Sequence, residues 1–313
     1  MEFLAAPMEG ITFSGFRRVH HSFFPGADAY YAPFISPDSE GSFKPKFLKE
    51  LTSDASEGYR LVPQILTNRA EPFNITAGKL ADLGFKEVNL NLGCPSGTVF
   101  AKNKGAALLG GLEFLQSFLD GIFASAPCGI SIKMRMGVES TAEFPALLEL
   151  MKKYPLEKLI VHARARSGYY ESEPDLDMFA ACCKDLPFPV SYNGNVYSPA
   201  DLERVISAFP ALDSVMIGRG IARNPALIRM LKGGNGLERG ELREYHEAMT
   251  AAYLDAGLSP VFTAARMKEL WHYMDAIFPG EEKTLKALFK TRSFEDFRSV
   301  SSTLLSRHDP ENQ

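Results

Sequence analysis

Lys86-Glu87-Val88-Asn89-Leu90-Asn91-Leu92-Gly93-Cys94-Pro95-Ser96 is the stretch from which the architecture can be read. It begins as a short strand, and Gly93 and Pro95 then break regular structure, leaving Cys94 on a tight loop at the strand's C-terminal end. Working outward, residues 3–6, 29–32, 61–65, 130–134, 159–161, 190–192 and 214–217 are short, apolar and strand-like, making eight segments with residues 88–92. Amphipathic helical stretches at 73–83, 112–124, 143–153 and 199–209 lie between several of them. Strands alternating with helices pair in parallel, and eight such units close a (β/α)8 TIM barrel of the α/β class. Pro63 falls inside the third strand, where its missing N–H removes a ladder bond, so a bulge or an early strand end is expected there.

The pattern changes at Lys232-Gly233-Gly234-Asn235-Gly236, whose glycines disfavour continuing the preceding helix. Beyond it, residues 241–256, 263–277, 282–290 and 294–306 have helical periodicity and no strand signal. The expectation is a barrel domain over 1–235 and a small helical bundle over 236–313.

With 313 residues, 45% of them hydrophobic, the chain can bury a substantial core. Apolar runs such as Leu159-Ile160-Val161 are far too short to span a bilayer, and the N-terminus lacks the basic segment and apolar run of a secretory signal. A cytoplasmic protein with no membrane partner is expected. Cys94, Cys128, Cys182 and Cys183 show neither metal-ligand spacing nor a disulfide framework, so no metal site is expected. The Cys182-Cys183 pair reads as core filling on a helix. A net charge of −4 and a pI of about 5.9 argue against non-specific coating of nucleic acid, while leaving room for a local basic face.

In such barrels sites form at the C-terminal ends of the strands, and phosphates sit at the loops after strands seven and eight. Tyr192-Asn193-Gly194-Asn195 follows the seventh strand and Gly218-Arg219-Gly220 the eighth. Their glycines permit close backbone approach and Arg219 can grip an anion, although Asn-Gly is also an ordinary turn pair. Lys133 lies in a segment buried on both faces, so it either snorkels to the barrel mouth or faces an anionic partner. His162 has a similar strand-end position, where a satisfied structural histidine is the commoner occupant. Most free cysteines are buried and apolar, but Cys94 between Gly93 and Pro95 on a loop reads as chemistry.

Asn91, Gly93, Cys94, Pro95, Val99, Gly105 and Ala106 stand at the spacing of a signature, and on these residues the chain resembles the flavin-dependent tRNA dihydrouridine synthases. The resemblance runs from Ala6-Pro7-Met8-Glu9-Gly10 through Met216-Ile217-Gly218-Arg219-Gly220, and resumes more weakly at Ala265 to Leu270. It implies an enzyme that reduces the C5=C6 bond of uridine in tRNA, with reduced FMN supplying a hydride and NADPH or NADH refilling the flavin. It also implies that Cys94 gives the proton, a role a thiol near its usual pKa of about 8.5 can fill without activation. The implied flavin contacts are the backbone of Pro7, Met8 and Glu9, with Gln64, Lys133 and His162. Asn193, Gly194, Asn195, Gly218 and Arg219 are implied to hold the FMN phosphate. Lys133 suits a reduced flavin, which is anionic around its pyrimidine ring. Asn91 and Arg135 are implied to contact substrate, and the uracil must leave its stack to reach them.

RNA contact in the bundle is expected from Lys283, Lys286 and Lys290 on one helical face, with Arg266 and Lys268 as a second patch, diluted by Glu281, Glu282, Glu295 and Asp296. No obligate protein partner is evident and the chain is read as a monomer. Phe13 replaces the family's usual acidic residue, and Ala165 and Gly168 replace a Thr and a Gln. Two rivals stand beside this reading. One is a dihydroorotate dehydrogenase-like small-molecule oxidoreductase, which would not need the helices after Gly236. The other is a non-catalytic RNA-binding flavoprotein, against which the set of Cys94, Lys133 and His162 argues.

Overall fold

A computed structural model describes residues 1–52, 58–238 and 240–307. Within them the strands form one parallel sheet that closes on itself, as the alternation predicts. Its members are β1 (Glu2–Ala5), β2 (Ala29–Tyr31), β3 in two pieces (Arg60–Val62 and Gln64–Ile65), β4 (Glu87–Leu92), β5 (Gly129–Gly137), β6 (Lys158–Ala165), β7 (Val190–Asn193) and β8 (Ser214–Ile217). Each pairs in parallel with its neighbour and β8 pairs with β1.

Pro63 is where the third strand divides. Arg60–Val62 pairs with β2, whereas Gln64–Ile65 pairs with β4. The proline has no N–H to give to either ladder, but its carbonyl accepts from Asn89 N at 2.9 Å, so the strand changes partner there without breaking the barrel.

Side chains on the two faces serve different layers. Leu4, Ala6, Ala29, Tyr31, Val62, Ile160 and Met216 form a separate buried cluster that fills the barrel interior. Alternate residues such as Phe3, Ala5, Val88, Leu90, Ile130 and Ile132 face outward into the main core beneath the helices. Helix entry follows ordinary capping chemistry: Ser198 accepts from Asp201 N ahead of the Pro199–Ala208 helix, and Pro199 occupies its first turn.

β5 and β6 run further than their apolar stretches indicate, to Gly137 and Ala165 rather than to residues 134 and 161. The extension is polar but paired, Arg135 lying opposite His162 and Gly137 opposite Ala165 with a register shift between them. It lifts the β6 end above the rest of the rim.

After the barrel come helices Glu241–Asp255, Pro260–Met274, Glu282–Lys290 and Phe294–Arg307. The second starts three residues before the periodicity predicts, because Pro260 fits a first turn that has no use for its missing N–H. Trp271 is fully buried among them, stacked on Phe278 at 5.1 Å and edge-on to His246 at 5.6 Å. Phe24 meets Tyr245 at 5.4 Å and Phe13 stacks on Tyr253 at 4.4 Å, so the apolar core passes without a break from barrel to helices. Of the expected helical region over 236–313, Arg239 and residues 308–313 lie outside the described residues. Among the described residues no helix is long and apolar enough to cross a membrane.

Candidate active site

The C-terminal ends of the strands open into a cavity of about 640 Å³. Pro7, Met8, Glu9, Gln64, Asn91, Cys94, Lys133, His162, Asn193, Gly194, Gly218 and Arg219 all line it. Twelve of the fourteen residues picked out in the sequence therefore meet around one space. Asn195 and Arg135 stand just behind the wall.

A ladder of buried amides fixes the Cys94 side. Gln64 Nε2 donates to Asn89 Oδ1 at 2.7 Å, and Asn89 Nδ2 donates to Ser131 Oγ at 2.8 Å. Asn91 Nδ2 donates to Gln64 Oε1 at 2.7 Å, while Asn91 Oδ1 accepts from the backbone N–H groups of Gly93 and Cys94 at 3.0 and 2.9 Å. Asn91 thus ties the loop that carries Cys94, through its Oδ1, to Gln64, through its Nδ2. The loop closes on itself where Ala106 N donates to Cys94 O at 3.2 Å. Gly105 has φ +61°, and a Cβ there would lie 3.0 Å from both Cys94 Cβ and Cys94 O, so close packing and backbone together demand glycine.

Arg135 is fully buried and braces the same loop from below. Its Nε donates to Gly93 O at 3.1 Å and its Nη1 to Ala165 O and Tyr169 O at 2.9 and 2.8 Å. The guanidinium sits 5.2 Å from the Tyr170 ring. It joins the Cys94 loop to the raised end of β6 instead of lining the cavity.

The opposite wall is cationic. Asn195 Oδ1 accepts from Arg219 Nη2 at 2.8 Å and from Arg164 Nη2 at 3.0 Å, holding two guanidinium groups side by side. Arg164 Nη1 lies 2.9 Å from His162 Nε2, and since an arginine can only donate, that nitrogen accepts and Nδ1 carries the ring proton. Burial, and then the charges of Lys133, Arg135, Arg164 and Arg219, hold His162 well below the ordinary imidazole range, so it is neutral. Burial first, then Arg135, push Lys133 down to about 7. Lys133 makes no hydrogen bond or ion pair among the described residues. An amine in that state, with guanidinium groups beyond it, calls for an anion in the cavity.

Cys94 is half-buried. Burial raises its thiol above the ordinary range, against the opposing Ser96 amide, and Glu9 raises it further while Arg135 and Lys133 pull it down. It is a protonated thiol at neutral pH, suited to giving a proton rather than to nucleophilic attack.

The sequence model of the dihydrouridine synthase family matches residues 4–278. This chain belongs to that family. Among its curated relatives, tRNA-dihydrouridine synthase B of Shewanella oneidensis is 26% identical over 259 residues, covering 79% of this chain and 77% of the relative. The tRNA-dihydrouridine(16) synthase of Ralstonia nicotianae is 30% identical over 239 residues, covering 74% and 72%. Among solved structures of similar fold, morphinone reductase, at 11% identity, aligns over 76% of this chain and 87% of its own with a TM-score of 0.51. An old yellow enzyme homologue from Zymomonas mobilis aligns at 9% identity with a TM-score of 0.53 over 76% and 90%.

Four cavity tyrosines of this dihydrouridine synthase family member, with Pro33 and Phe34, went unnoticed in its sequence. Tyr169, Tyr170, Tyr197 and Tyr273 ring the mouth, and Arg219 lies 4.9 Å from the Tyr170 ring. Tyr169 and Tyr170 follow the end of β6, and Tyr197 follows the Asn193-Gly194-Asn195 loop, so strand-end position was an available signal. Tyr273 belongs to the Pro260–Met274 helix, and no local pattern connects it to the barrel. In the helical region Lys283, Lys286 and Lys290 are exposed on one face with Leu285 and Leu288 buried behind them. The second basic patch is already engaged within the protein: Arg266 pairs with Glu269 at 2.7 Å and Lys268 donates to Thr291 O at 2.8 Å.

Proposed function

We propose that the enzyme is a tRNA-dihydrouridine synthase that holds FMN in this cavity and uses NADPH or NADH as reductant. The observation that carries the reading is the convergence, on one cavity, of a protonated loop thiol, a Lys133 with no partner among the described residues and the cationic wall built on Asn195. A flavin mononucleotide fits those residues. Gly194 lines the floor, where a Cβ would fall 2.1 Å from Tyr192 Oη, and Arg219 stands ready for a phosphate at the rim. Pro7 to Glu9, Gln64, Lys133 and His162 surround the remaining space, with Lys133 as the charge facing an electron-rich ring. A cavity of about 640 Å³ is within the size range of cofactor sites. When bound and reduced, the flavin supplies a hydride to C6 of uracil.

The chain's own groups do the rest. Asn91 and Arg135 hold the Cys94 loop, Cys94 Sγ–H gives its proton to C5, and solvent reprotonates the thiolate. Tyr169, Tyr170, Tyr197 and Tyr273 give an unstacked base aromatic surface at the mouth. Lys283, Lys286 and Lys290 contact RNA phosphates, with residues 236–313 acting as the RNA-binding part of a monomeric, cytoplasmic enzyme.

Mass spectrometry of dihydrouridine in unmodified tRNA, after incubation with flavin-loaded protein and NADPH, tests this. Wild type forms dihydrouridine, and Cys94→Ala loses about 10² to 10⁴ in rate while keeping its flavin absorbance. Flavin bleaching by NADPH with no tRNA modified by wild type would refute the RNA assignment and favour a small-molecule reductase.

A further inference from the structure

Beside the active site, between the barrel rim and the helical region, lies a second cavity of about 900 Å³. We propose that it binds the phosphorylated adenosine end of the nicotinamide dinucleotide reductant, an inference that rests on the function proposed above. Glu9, Pro33 and Phe34 line both cavities, so one extended molecule can reach from this site into the other. Arg18, Lys46, Lys49 and Arg266 bring four cations to the wall against Glu9, Glu50 and Asp255. Two of these charges are already matched: Glu50 is held by Arg17 at 3.0 Å and Arg266 by Glu269 at 2.7 Å.

Arg18 and Lys49 have no hydrogen bond or ion pair among the described residues, and Lys46 has only the Phe47 ring, 5.0 Å away. A half-buried arginine and two lysines, none with an ion pair among the described residues, are a setting for phosphate oxygens. Asp255 and Glu9 can accept from ribose hydroxyls. Phe13, Phe34 and Phe47 supply faces for a planar base, and Phe13 is held firm by its stack on Tyr253.

Calorimetric titration with 2′,5′-ADP, a probe carrying only the phosphorylated adenosine, tests the site without turnover. Wild type binds it, and Arg18→Ala and Lys49→Glu each weaken binding tenfold or more while melting at the wild-type temperature. In stopped-flow bleaching of the bound flavin, the same variants raise the NADPH concentration for half-maximal rate by a similar factor. Dihydrouridine formation by dithionite-reduced enzyme stays unchanged. A probe that fails to bind wild type, or binds the variants equally well, overturns the proposal. Variants that keep probe affinity but lose tRNA affinity in filter binding assign these cations to RNA phosphates and also overturn it. If neither NADPH nor NADH bleaches wild-type flavin, the proposed function falls, and the 2′,5′-ADP titration still decides this site.

Discussion

Lys133 on the cavity wall and Arg135 behind it show how single residues decide what the cavity can do. Lys133 has its pKa lowered to about 7 by burial and Arg135, against about 10.4 in an unfolded chain. Between those values the unfolded state binds the extra proton, so this residue's contribution to stability rises with pH from about 7 to about 10 and is level on either side. In the ligand-free protein, Lys133→Met should therefore melt above wild type at neutral pH, with the gap closing as the pH approaches 10. A gap that stays constant in melting curves across that range would show that Lys133 is charged at no cost. Arg135 donates to three carbonyls that a lysine's point charge cannot span together. Arg135→Lys should slow uridine reduction by roughly 10²-fold through a displaced thiol, while NADPH bleaches the flavin at close to the wild-type rate. Single-turnover measurement of each half-reaction separates the two, and equal losses in both would argue for general disruption.

Among the elements, the loop from Gly93 to Ala106 and the raised end of β6 behave as one support. Arg166 lies 4.1 Å from the Phe100 ring in the short Gly97–Phe100 helix, and Arg135 joins the same two segments from beneath. At the pivot of this loop Gly105 has a left-handed backbone, and a Cβ added to it would lie 3.0 Å from Cys94 and 3.2 Å from Val99 Cγ1. Gly105→Ala is expected to cost about 1–3 kcal/mol of stability through backbone strain alone. It should also lower turnover beyond the loss of folded protein, because the added methyl pushes on Cys94. Denaturant titration alongside activity per folded molecule checks both, and an alanine variant of wild-type stability would mean the loop relaxes freely.

At the scale of the whole molecule, an acidic chain builds one cationic wall. The net charge of −4 is distributed so that Lys133, Arg135, Arg164 and Arg219 gather around a single neutral histidine. The helical region is fused to the barrel through a continuous core and sends Tyr273 to the cavity wall. Replacing Lys283, Lys286 and Lys290 together with Glu should weaken tRNA binding and flatten its salt dependence by up to about three counterions. Bleaching of the flavin by NADPH should not change. Filter binding over a salt series decides this, and an unaltered slope would move RNA contact to another face.

Much of this was legible in the chain itself. Short apolar strands punctuated by Gly and Pro, with amphipathic helices between them, specify a parallel barrel because that alternation has few ways to bury both faces of its strands. Strand ends point to sites, so Cys94, Lys133, His162 and the two glycine loops could be named from position, and Pro63 announced its own break. What the sequence could not reveal depends on contacts between distant segments. That Asn91 also grips Gln64 and the backbone N–H of Gly93, and Arg135 the carbonyls of Ala165 and Tyr169, could not be read from the chain. Tyr273 lies 179 residues beyond Cys94, and Arg266 and Lys268 look free until Glu269 and Thr291 are placed beside them. Periodicity and turn chemistry are local and survive in one dimension. Which polar atoms remain unpaired, and so are left for a ligand, is settled only when the folded chain brings its partners together.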